Sequence, residues 1–178
     1  SRAVYIELLG KTPRIQFEAV LKRHGMLERL SLDAITSDYW EVAESYEPEP
    51  FPETIEVLEA LRNAGHTLLV SSVGTTASVK RKTRLAGIDG MFRLTLGTDE
   101  GVVHMVKGPG HFHLMRQVLD LDEPAFQQRA VFVGDAAHDM RVGRAACLPA
   151  IGRLTGSNHA ALLAAGATHL ISDLRDIE

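Results

Sequence analysis

Short apolar runs of β-type composition return along the chain at 3–9 (AVYIELL), 66–72 (HTLLVSS), 92–98 (FRLTLGT), 130–135 (AVFVGD), 149–154 (PAIGRL) and 168–173 (THLISD). Amphipathic segments of helical period separate most of them. One of these sets Ile55, Leu58 and Leu61 at helical spacing and stops at Gly65, a residue suited to a left-handed C-cap. Others are expected over Thr76 to Leu85 with a stop at Gly87, from about Gly110 to Leu119, after Asp135 (AAHDMRVGRAA), and over NHAALLAAG near the end. Strands that alternate with helices pair in parallel, and a parallel sheet needs helices on both faces. The chain is therefore expected to be an α/β protein whose ligands sit outside the carboxyl ends of the strands.

Residues 14–50 break this rhythm. RIQFEAVLKRHGMLERL and SLDAITSDYWEVAESY both read as helices, and EPEPFPE closes the segment with three prolines. The expected organisation is a core built from 1–13 and 51–178, interrupted by a small helical insert and linker at 14–50. No internal repeat is visible.

At 178 residues, 45% hydrophobic and 24% charged, the chain is long enough to bury one well-formed core. A formal charge of -4 supplies no field for a polyanion, and the basic cluster Lys80, Arg81, Lys82, Arg84 is too local to change that, so nucleic acid is not an expected partner. No run of apolar residues is long enough to span a bilayer, and no signal core opens the chain, so neither membrane insertion nor export is expected. The lone Cys147 rules out an internal disulfide and a CxxC zinc site, in keeping with a reducing cytoplasm. The first residue is Ser1 rather than methionine, which leaves room for residues ahead of it.

The polar residues fall at strand ends. The first strand carries Glu7, the second ends in Ser71 and Ser72, Lys107 precedes the third long helix, and the fourth strand runs into Asp135 and Asp139. In a parallel sheet these groups gather at one edge. Carboxylates hold a hard cation while lysine and hydroxyl bind phosphate oxygens, so the set suits a phosphate-plus-Mg²⁺ site. Each residue also has a plainer reading: Ser71 and Ser72 as a strand end, Lys107 as a surface lysine, Asp135 as a helix N-cap with Asp139 favouring the first turn. His111 and His113, two apart on a helix, diverge by about 200° and are read as surface residues, as is His138. Gly108-Pro109-Gly110 lacks the context of a dinucleotide-binding loop and is read as a lead into a helix. Tyr39 and Trp40 are read as packing within the insert.

Taken together, order and spacing resemble the haloacid dehalogenase-like superfamily, mostly phosphatases, and especially its phosphoglycolate phosphatase-like branch. LLVSSVGTTASVKRKTRLAGIDGMF looks like the second motif with Ser71 as phosphate-binding hydroxyl, VKGPGHFHLM like the third with Lys107, and AVFVGDAAHDMRVGRAACLPAIGRLTG matches the fourth closely. The resemblance implies a Rossmann-like sheet, a cap inserted after the first motif (here residues 14–50, short for the branch), a Mg²⁺ cofactor and a small phosphorylated substrate. The family's first motif is Asp-x-Asp-Gly after an apolar strand. Here AVYIELLGKT puts Glu7 on the nucleophile, Leu9 on the second aspartate and Gly10 on the glycine. By resemblance, Glu7, the Leu9 carbonyl, Asp135 and Asp139 would hold the metal, and Ser71, Ser72 and Lys107 the phosphate, with Glu7 and Lys107 catalytic. Glu7 keeps charge but shifts its oxygen by roughly an ångström, and a misplacement of that order costs about a hundredfold. Leu9 cannot transfer a proton, which forfeits on the order of 10²- to 10⁴-fold. Two functions follow: a hydrolase with impaired chemistry, or an inactive relative that binds a phospho-ligand or a protein partner.

Overall fold

The computed structural model describes residues 12–47, 49–99, 101–155 and 158–177. The expected strand at 3–9, and with it Glu7 and Leu9, lies outside the described residues. The chain divides between residues 47 and 48 into two compact units.

The smaller unit contains helices α1 (Pro13–Arg23) and α2 (Leu32–Ser45). Helix α1 starts with proline in its first turn, where the missing N–H costs nothing. Ser31 caps α2 by accepting the Ala34 N–H through its hydroxyl. The two helices are joined by an edge-to-face contact of Phe17 with Tyr39 at 5.5 Å, and Tyr39 in turn meets Trp40 at 5.3 Å. Tyr39 thus packs on α1 while staying 40% exposed, and Trp40 lies against Tyr39 on its own helix.

The larger unit is α/β. Its strands are β1 (Leu69–Ser71), β2 (Leu94–Leu96), β3 (Phe132–Gly134), β4 (Ala150–Arg153) and β5 (His169–Ile171). Its helices are α3 (Thr54–Asn63), α4 (Thr76–Leu85), α5 (Pro109–Leu119), α6 (Glu123–Arg129), α7 (Ala137–Ala145) and α8 (His159–Ala165). Every strand pairing among the described residues is parallel, in two ladders, β1-β2 and β3-β4-β5. Register sets Ser71 opposite Leu96 and Gly134 opposite Gly152, so neighbouring strands end side by side. Among the described residues no helix is long and apolar enough to cross a membrane.

Helix α6 departs from the sequence expectation, which left 120–129 without an element. Proline at 124 reads as a breaker, yet it occupies the first turn, where it is tolerated, and Asp122 caps the helix by accepting the Ala125 N–H at 2.8 Å.

Two apolar clusters hold the unit together. One contains Leu96, Phe112, Met115, Phe126, Val142 and Leu148, with Phe112 perpendicular to Phe132 at 5.5 Å. The other contains Met140, Ala150, Leu162 and Ala165. Helix α7 supplies Val142 to the first and Met140 to the second. Residues two apart on a helix point to nearly opposite sides, so α7 is gripped on both flanks.

Candidate functional site

Lys107 lies in the segment between β2 and α5. Its ammonium donates to Asp139 Oδ1 at 2.5 Å, and the side chains are only 12% and 6% exposed. A buried ammonium is costly unless paired, so this lysine is not the surface residue of the plainer reading. Asp139 is held from a second direction: its Oδ2 accepts the Ala136 N–H at 3.1 Å, which satisfies one of the unpaired donors of the first turn of α7. The N-cap is Ala136, so Asp135 stands one residue outside the helix rather than capping it.

Gly134 makes this arrangement possible. A Cβ there would lie 2.5 Å from Asp139 Cβ and Oδ2, inside any real contact distance. Gly134→Ala is expected to lower stability by about 1–3 kcal/mol through overpacking and to dislodge Asp139 from Lys107. Thermal unfolding and anion titration of this variant check both effects.

Asp135 is exposed, and its carboxylate makes no hydrogen bond or ion pair with another described residue. Its carbonyl accepts the Asn158 side-chain N–H at 2.8 Å, and the Asn158 Oδ1 accepts the Thr155 N–H. Asn158 therefore ties the end of β3 to the loop after β4.

On the other ladder, Ser71 Oγ lies 2.8 Å from His111 Nδ1, and His111 Nε2 lies 2.9 Å from the Gly97 carbonyl. His111 is fully buried, contrary to the surface position expected for it. It sits in the first turns of α5, on the face that packs against the ends of β1 and β2, and its two polar partners replace solvent. His113 is half-buried and lies against the His104 ring at 4.2 Å. His138, also expected at the surface, is half-buried. Burial pushes the His111 imidazole down, the Gly97 carbonyl opposes this, the Lys107 charge lowers it further and Asp99 raises it. Asp99 is itself held below the usual carboxylate range by hydrogen bonds from the Thr76 side chain and backbone.

The sign of the His111 shift makes a prediction. As pH falls through the ordinary value of 6.5, the unfolded chain takes up the proton before the folded one does. The stability tied to neutral His111 is thus complete above that value and declines below it. Melting temperature is expected to fall from neutral pH to mildly acidic pH, and His111→Asn to flatten that slope.

Ser72 and Lys107 are joined through Thr98, which the sequence reading passed over. The Thr98 hydroxyl donates to the Ser72 carbonyl at 3.1 Å and accepts the Lys107 N–H at 3.3 Å. The Ser72 hydroxyl accepts the Gly74 N–H at 3.2 Å and shapes the turn after β1. The available signal for Thr98 was its place: a polar residue just past an apolar strand, in line with Ser72.

Of the expected site residues, Lys107 and Asp139 are in direct contact, and Ser71 and Ser72 reach the Lys107 segment through His111 and Thr98. Asp135 adjoins them through the β3-α7 turn without touching the pair. Glu7 and Leu9 lie outside the described residues. Among the described residues no group of three or more His, Cys, Asp or Glu could hold an ion. A magnesium ion keeps several waters and takes one or two carboxylates, and the exposed carboxylate of Asp135, unpaired among the described residues, fits that demand. The Asp139 oxygens already accept from Lys107 and Ala136.

The family model for haloacid dehalogenase-like hydrolases matches residues 4–146. A probable phosphatase, IndB, from Dickeya dadantii is 32% identical over 123 residues, 69% of this chain and 51% of that protein, so the chain spans about half the length of this curated relative. Among solved structures, a predicted phosphoglycolate phosphatase from Haemophilus somnus superposes with a TM-score of 0.76 at 19% identity, over 99% of this chain and 80% of that one. A predicted phosphatase from Clostridium acetobutylicum gives 0.75 at 15% identity, over 99% and 80%. At such identities the superpositions speak for the fold alone.

Proposed function

Because the chain belongs to the haloacid dehalogenase-like hydrolase family, we propose that it is a phosphatase-type hydrolase of a small phosphorylated metabolite, assisted by Mg²⁺ and slowed by its first motif. In this reading residues 14–50 are the short cap and linker, and the remainder is the core.

One observation carries the proposal. Lys107 is held by Asp139 next to the strand end that bears Asp135, while its backbone is tied through Thr98 to the end of β1. An ammonium kept in that position, at the carboxyl ends of parallel strands, suits an anionic ligand. Lys107 neutralises a phosphate oxygen, and the hydroxyls of Ser71 and Ser72 donate to others. By the family resemblance, Asp135, Glu7 and the Leu9 carbonyl would hold the ion, and Asp139 serves the site by fixing Lys107. When bound, magnesium neutralises charge on the phosphoryl oxygens. In sequence, Glu7 aligns with the family's nucleophile but is one methylene longer, and Leu9 has no proton to give.

Phosphate release from a panel of phosphorylated metabolites, with Mg²⁺ present, tests the proposal against a Glu7→Ala, Asp135→Ala double variant. Slow release above that control is expected. Equal release would favour the second reading, a ligand-binding protein without turnover, which rests on the joint replacement at positions 7 and 9. Calorimetric titration with the same metabolites then separates a binder from a chain that recognises none of them.

A further inference from the structure

We propose that His111 is a positioning residue that sets the direction of the Ser71 hydroxyl hydrogen, so that an oxyanion binds at Ser71 together with one proton taken up by the imidazole. This rests on the reading of Ser71 as an anion-binding hydroxyl.

Both ring nitrogens of the fully buried His111 are engaged, Nε2 by the Gly97 carbonyl and Nδ1 by Ser71. A carbonyl oxygen only accepts, so Nε2 carries a hydrogen in every protonation state. Nδ1 is then the nitrogen that titrates. With the ring neutral, Nδ1 accepts, and the Ser71 hydroxyl spends its single hydrogen on it. An oxyanion also only accepts, so the hydroxyl cannot serve both partners. If it turns to the anion while the ring stays neutral, two lone pairs face each other in a buried site, at a cost of about 1–3 kcal/mol for the unmet acceptor. Protonation of Nδ1 removes the conflict: the ring donates to Ser71 Oγ, and the hydroxyl hydrogen is released to the anion. The proton comes from solvent, and no bond to the anion is made or broken.

The surroundings set the poise. β1 presents the uncharged Ser71, the segment before α5 presents Lys107, and the segment after β2 presents Asp99. Burial and Lys107 keep the empty site neutral, and the negative charge of an arriving anion offsets both. Gly97 is fixed in its part, since a Cβ there would collide with the backbone of residues 74–76. Its carbonyl is the partner of Nε2 at 2.9 Å, and close packing against residues 74–76 limits its room to move.

Sulfate tests this, because it binds as a phosphate-like dianion and carries no titrating proton between about pH 5 and 8. The imidazole ¹⁵N resonances of the full chain would be followed through that range with and without saturating sulfate. Without sulfate, the Nε2–H form and a midpoint below the ordinary histidine value are expected. With sulfate, both nitrogens become protonated and the midpoint rises by about one pH unit or more, with affinity rising about tenfold per unit of acidification between the raised midpoint and the sulfate-free one. Ser71→Ala, which keeps the ring-carbonyl bond, is expected to lose most of the midpoint shift at saturating sulfate, leaving only the through-space rise from the anion's charge. His111→Asn, whose amide donates without titrating, is expected to bind sulfate with affinity independent of pH. If that variant fails to fold, Ser71→Ala decides alone. Sulfate that moves the Ser71 and Lys107 amide resonances but not the His111 midpoint overturns this inference and leaves the anion site standing. Sulfate that moves neither overturns both.

Discussion

Lys107→Ala is expected to lower the melting temperature by roughly 6–20 °C and to abolish anion binding. Removing the ammonium strands the Asp139 carboxylate, 4% exposed as a residue, with the Ala136 N–H as its one remaining donor among the described residues. Breaking a buried ion pair by deleting one partner costs about 3–5 kcal/mol, because an uncompensated charge stays behind. In a protein of this length each kcal/mol corresponds to about 2–4 °C. The double variant Lys107→Met, Asp139→Leu separates this penalty from the worth of the pair itself. It buries no charge, and its main debit is the orphaned Ala136 N–H, about 1 kcal/mol. It is expected to regain most of the lost stability while still failing to bind an anion. A Lys107→Ala protein that melts within a degree or two of the parent, measured calorimetrically, would show that the pair is not buried as described.

The second large effect is a gain. Glu7→Asp together with Leu9→Asp is expected to raise phosphate release by about four orders of magnitude. On the proposed alignment with the family's first motif, aspartate at 7 restores that motif's own nucleophile, worth about a hundredfold. Aspartate at 9 supplies the missing acid and base, worth on the order of 10²- to 10⁴-fold. The two act on one bond-breaking event and are not expected to add as independent terms, so each single variant should recover only a small part. The measurement is single-turnover release with Mg²⁺ and the best metabolite from the panel. A double variant no faster than the parent would mean that the remaining residues, Lys107, Ser71 and Asp135, do not form a competent site, and the binding reading would then stand.

Much of the fold was legible because its signals are local. Strand-helix alternation is enough to dictate parallel pairing, and the helix at Thr76–Leu85 has the bounds its apolar spacing and terminal glycine suggest. Helix α6 was not, because a proline normally read as a stop lies in the one turn where it does no harm. At the candidate site, the order of Ser71, Lys107, Asp135 and Asp139 pointed to strand ends, and the structure brings Lys107 and Asp139 into contact there. What that order could not convey is pairing. Whether a lysine faces solvent or an aspartate 32 positions away depends on how β2 and β3 bring their ends together. His111 failed for the same reason: helical spacing says that it diverges from His113, but not which of the two faces inward. Thr98 and Asn158 carry no charge and match no motif, and their roles exist only once the strand ends are adjacent.

Helix α7 has one consequence for how this protein tolerates change. Met140 and Val142 follow Asp139 within its next turn and belong to separate apolar clusters. A packing defect on either flank leaves the opposite flank pulling alone, which rolls the segment about its axis and swings Asp139 away from its lysine. Substitutions that look purely structural, and lie well away from any ligand, would thus be felt as weakened recognition, so packing and recognition both constrain the nine residues of this helix.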